Sequence, residues 1–127
     1  MAIRVYRQGD CLFIPVLRSE VPQETRLIKS RLIRRGEHGG RHEIEPGAPS
    51  QQIESVPKDT TVPRRRFLQV LGGAVGAALA GVGIVHGEHN RLELPAQEPT
   101  LPGHEGDYEI RVQRELDAKN APRFVGD

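Results

Sequence analysis

Aromatic residues are almost missing from this chain. There is no tryptophan, and Tyr6, Phe13, Phe67, Tyr108 and Phe124 are all that 127 residues supply. Hydrophobic residues make up 36%, below the ~45–50% of an average soluble domain, so the chain can bury only a modest core and is expected to form one small domain with tails. Cysteine occurs once, as Cys11, which excludes an intrachain disulfide and a thiolate metal cluster and fits a reducing, cytoplasmic setting. Charge of one sign is also lacking. At a net +1 no global field recruits nucleic acid, which is therefore not expected as a partner. The first ten residues contain no apolar run of the kind that opens a conventional secretion signal.

Glycine and proline, by contrast, are plentiful, at fourteen and ten residues, and mark a turn-rich chain of mainly β class: a small antiparallel barrel or sandwich. Residues 1–45 read as N-terminal β elements. Ile3 to Tyr6 and Cys11 to Val16 are strand-like runs around a Gly9-Asp10 turn, and Pro15 predicts an edge position for the second. The basic run Arg26 to Arg35 fits a strand with Ile28 and Leu32 on one face, and Glu43 to Glu45 a short one. Residues 46–63 are polar, carry four prolines and lack periodicity, the pattern of a linker or loop. Residues 86–116 return to β patterning, in Arg91 to Leu94 and most cleanly in Tyr108 to Arg114, where Tyr108, Ile110 and Val112 alternate with polar residues. Residues 117–127 read as a mobile tail.

Between these lies an uncharged stretch, Phe67 to Val85, within the Arg-headed segment 64–85. As a helix it would show an apolar stripe and an opposite face of small residues. Gly72 and Gly76, Gly73 and Ala77, and Ala77 and Gly81 recur at the four-residue spacing that lets helices approach closely. Nineteen helical residues would reach roughly 28 Å, near the ~30 Å of a bilayer core. The residues Arg64, Arg65, Phe67 and Leu68, followed by this weakly hydrophobic run, resemble a twin-arginine export signal. Two readings follow. Either 67–85 is a helical or hairpin segment packed on the β domain, its face of Gly72, Gly76, Ala77 and Gly81 meeting a protein partner or a second copy, or it associates with a membrane.

The remaining chemistry is carried by histidines. His86-Gly87-Glu88-His89 follows a β-like run, and His38 and His42 lie in a glycine-rich loop. Two such loops could converge on zinc or a similar divalent ion through His42, His86 and His89, with Glu88 or His38 completing the set. His86 and His89 would then need a turn at Gly87 to face the same way. The segments Val5 to Asp10, Gly36 to His42, His86 to His89, Leu94-Pro95 and Tyr108 to Glu115 resemble a family of small, β-rich, functionally uncharacterised proteins of bacteria and their phages. That family's loops look like G-E-x-x-G-H-x-H and H-x-E-H. Here Arg41 stands at the first histidine of the pair, with His38 as its substitute. The resemblance implies a β fold and no activity. Ser19, Ser30, Ser50 and Ser55 lack a nucleophile elbow, so no catalytic residue is named. The expected role is a non-catalytic binding or assembly module. A membrane-anchored or exported protein is the alternative, and a metal-dependent hydrolase using Glu88 as base a third.

Overall fold

A computed structural model describes residues 2–35, 40–71, 81–113 and 124–126, the last as backbone only. The described residues form eleven strands: β1 (Val5–Gln8), β2 (Cys11–Val16), β3 (Thr25–Ile28), β4 (Leu32–Arg35), β5 (Arg41–Ile44), β6 (Ser50–Ser55), β7 (Arg66–Val70), β8 (Val82–His86), β9 (His89–Leu94), β10 (Asp107–Val112) and β11 (Phe124–Gly126). They make two sheets. The larger has the order β11-β1-β2-β10-β7-β6-β3 and the smaller β4-β5-β8-β9. All pairings are antiparallel except β1 with β11. The fold is therefore mainly β and sandwich-like, and among the described residues no helix is long and apolar enough to cross a membrane.

Local chemistry explains the first hairpin. Gln8 pairs with Cys11 across a two-residue turn, and Gly9 sits at φ 58° while Asp10 keeps a negative φ. That is the type II′ pattern, whose twist matches the strands it joins. Pro15 departs from expectation, because β2 lies between β1 and β10 rather than at an edge. The departure has a simple cause: pairing with β1 ends at Phe13, so Pro15 needs a partner only on the β10 side, opposite Tyr108.

The two sheets enclose a core of Tyr6, Phe13, Leu68, Val70 and Tyr108 from the larger sheet and Ile33, Ile44, Val82, Ile84 and Leu94 from the smaller. A second cluster, Val16, Ile53 and Phe67 under Val21, seals the other face of the larger sheet. Leu12, Phe13, Phe67 and Leu68 are fully buried, each contributing roughly 1.5–3 kcal/mol. Cys11 is buried as well, and burial pushes its thiol up to about 12, so it is an inert core residue.

Three expectations are corrected. The stretch 46–63 is not simply linker: it supplies β6, paired on both sides, with Gln52, Ile53 and Ser55 buried. Its alternation went unseen because the residues facing the core include a glutamine. The basic run Arg26 to Arg35 is two strands in different sheets, broken at 29–31, so Ile28 and Leu32 share no face. Strand β10 does not alternate buried and exposed, since Asp107 and Glu109 on its second face are buried too. The uncharged stretch begins in β7 and ends in β8, which belong to different sheets. Gly72, Gly76 and Ala77 lie outside the described residues, as does the tail other than β11. Gly81 approaches closely the carbonyl of Leu94 in the neighbouring strand of its own chain.

Candidate metal centre

Strands β5, β8 and β9 carry three histidines into one row. β5 runs against β8 with Glu43 opposite Val85 and Ile44 opposite Ile84, a register that brings His42 beside His86. The Gly87-Glu88 turn folds β8 onto β9 so that His86 pairs directly with His89. Their ring centroids lie 4.4 Å apart for His42 and His86, 4.7 Å for His86 and His89, and 6.2 Å for His42 and His89. With Zn–N bonds of about 2.0–2.1 Å, two imidazoles on one tetrahedral ion have centroids roughly 5 Å apart. Two of the three separations are close to that value and the third is wider.

Each ring has a defined seat. His42 is 1% exposed, and its Nδ1 lies 2.9 Å from Gln8 Oε1. The fully buried Gln8 spends its Nε2 donors on the carbonyls of Ile84 and Asn90, both at 2.9 Å, so its oxygen can only accept. His42 Nδ1 must therefore carry the proton, and Nε2 keeps its lone pair. An outer group that fixes the tautomer of a metal ligand works in this way. Burial, reinforced by His86 and His89 and opposed by Asp10, pushes His42 down to about 4, so the ring is neutral at physiological pH, as a ligand must be. Asp10 Oδ1 stands 3.6 Å from Nε2, and the other carboxylate oxygen, Oδ2, accepts from Arg34 Nη2 at 3.0 Å. His89 and His86 are admitted by glycines: a Cβ on Gly9 would come within 2.7 Å of His89 Nε2, and one on Gly40 would fall on the His86 ring.

The row is not a finished cage. Among the described residues no group of His, Cys, Asp and Glu side chains is already disposed around a single ion. One cause is visible at His86, whose Nδ1 accepts the backbone N–H of Glu88 at 2.9 Å. Its neutral form then holds the proton on Nε2, and ligation requires the ring to turn or the Glu88 bond to open. The exposed Glu88 contributes that backbone N–H. His38 lies outside the described residues.

Of the export-like residues, Phe67 and Leu68 are fully buried in β7 between β6 and β10, and Arg65 holds Glu109 through Nε at 2.8 Å and Nη2 at 3.1 Å. Arg64 reaches Glu54 at 3.2 Å. Sequence reasoning did not single out Gln8, Asp10, Gly9 and Gly40 as part of this site. The signal was available in part, because Gln8-Gly9-Asp10 is a polar hairpin tip following a strand. Comparison with known protein families, curated proteins and solved structures finds no match to this chain.

Proposed function

We propose that the chain is a non-catalytic binding module that holds a divalent ion, zinc or one of similar preference, through His42, His86 and His89. The observation that carries this reading is His42, a buried, neutral imidazole whose Nδ1 proton is pinned by Gln8 while its Nε2 lone pair points away from that bond. Two further imidazoles stand beside it, each seated against a glycine. Borderline nitrogen ligands of this kind suit Zn²⁺. Opening the Glu88 N–H bond to His86 Nδ1 frees the lone pair this ring would lend, and Asp10 stands 3.6 Å from His42 Nε2 as a neighbouring carboxylate. A cytoplasmic site of action goes with the single, buried Cys11.

The test is metal content after overexpression in zinc-supplemented medium, with cobalt substitution read by absorption. One equivalent per chain is expected, lost on His42→Ala and on the pair His86→Ala and His89→Ala. It is expected to be kept on His104→Gln, at the one described histidine remote from the row. Substoichiometric metal, or metal that survives these row substitutions, removes the proposal.

A further inference from the structure

The arginine run that resembled an export signal lines a cleft of about 550 Å³ beside the centre of the larger sheet. Its charged walls are Arg34, Arg64, Arg65, Arg66, Arg111 and Glu109, and its apolar part is Val62, Pro63, Ile110 and Val112. Five guanidiniums thus face one lining carboxylate. Adding Asp10, which binds Arg34, and Glu54, which binds Arg64, leaves two positive charges in excess. Glu54 is moreover shared with Arg26.

Arg66 is the residue left over. It lies in register with Glu54 across β6 and β7, yet Glu54 is taken by Arg26 and Arg64. Among the described residues Arg66 has no carboxylate partner; its Nη2 donates to Gln52 Oε1 at 2.6 Å, and its buried Nε–H has no acceptor. Burial works against its charged form, a cost that an anion in the cleft would relieve.

We infer that this cleft binds a small organic dianion of the phosphomonoester class, with its phosphate among Arg64, Arg66 and Arg111 and its apolar body against Val62, Ile110 and Val112. A positive excess of at least two charges suits a dianion, guanidinium forks match phosphate oxygens, and the volume is that of a small-molecule site. This inference is independent of the metal reading.

The experiment is calorimetric titration of the metal-free, full-length chain with phenyl phosphate, inorganic phosphate and a short single-stranded oligonucleotide, all at one ionic strength set with sodium chloride. Saturable one-site binding of phenyl phosphate, tighter than inorganic phosphate, is the expected result. It should weaken about tenfold or more in Arg66→Gln and in the doubly substituted Arg64→Gln, Arg111→Gln chain, and persist in Arg91→Gln, at a half-exposed arginine outside the cleft. Arg64 and Arg111 are substantially exposed, so the double variant decides the matter even where Arg66→Gln fails to fold. Binding that does not saturate, that survives both cleft variants, or that is lost equally in Arg91→Gln overturns the assignment. So does equal affinity for phenyl and inorganic phosphate, which would remove the apolar contact, or tighter binding of the oligonucleotide.

Discussion

His42 and His104 are both buried beside large-sheet residues, yet they are used in opposite ways. At 3% exposure His104 has both nitrogens engaged by the backbone: Nδ1 accepts the N–H of Glu98 at 2.8 Å, and Nε2 faces the carbonyl of Asp107 at 2.7 Å and so must donate to it. It also stands edge-on to Tyr108. Around it Tyr6 donates to both oxygens of the buried Glu98 at 3.1 Å, and Tyr108 donates to Pro95 O. The bonds of Tyr6, Tyr108 and His104 Nε2 tie the 95–104 loop to β1 and β10, and that of His104 Nδ1 braces the loop from within. His42 makes one such bond, to a side chain, and retains a nitrogen for something else. A histidine that staples a loop and one able to bind a ligand thus differ in one unspent lone pair, not in burial.

That contrast can be broken most forcefully at His104. His104→Ala leaves a buried N–H and a buried carbonyl without partners and opens a cavity, and should cost about 3 kcal/mol or more while leaving metal content unchanged. Denaturant unfolding alongside metal analysis checks it. Gln8→Leu should have a smaller effect on stability, about 2 kcal/mol from the orphaned carbonyls of Ile84 and Asn90. Zinc affinity should nevertheless fall ~10–100-fold as His42 loses its fixed tautomer, measured by competition with a chelating dye.

Acidification sharpens the same comparison. In the metal-free chain His42 is held down to about 4 by burial and its histidine neighbours, whereas in the unfolded chain it titrates near the ordinary ~6.5. The unfolded state therefore takes up a proton that the fold refuses. Stability should be intact above about pH 6.5 and decline by roughly 1–3 kcal/mol as pH falls to about 4, a slope that His42→Gln removes. Nitrogen chemical shifts at neutral pH should show opposite tautomers, Nδ1–H for His42 and Nε2–H for His104. Matching tautomers would erase the distinction. The smallest change is at the turn: Gly9→Ala forces an L-residue to φ 58° against His89, costing about 1–2 kcal/mol and displacing one ring of the row.

Much of the fold was legible without the structure. The β class follows from β-branched and aromatic runs between Gly and Pro turns. Gly9-Asp10 announces its hairpin because only glycine takes that φ cheaply, and His86-Gly87-Glu88-His89 announces a turn that sets two histidines side by side. Strand β6 was hidden because its core-facing residues include Gln52, which spends its amide on the carbonyls of Ser30, in the β3–β4 connection, and Leu32, in the other sheet, bonds that no local pattern encodes. The motif of Arg64, Arg65, Phe67 and Leu68 shows the same limit: a local match says nothing of the neighbours β6 and β10 that bury its apolar half.

The sequence by itself determined the class of fold, the hairpin turns, the lone thiol and the types of residue available as ligands, all set by backbone preference and composition over a few positions. The tertiary structure alone decided which histidine nitrogens are spent, that His42 joins His86 and His89 across three strands, and that Arg66 has no carboxylate partner among the described residues. Those outcomes depend on register between distant strands, and register is fixed by burying two sheet faces together rather than by any stretch of chain acting alone.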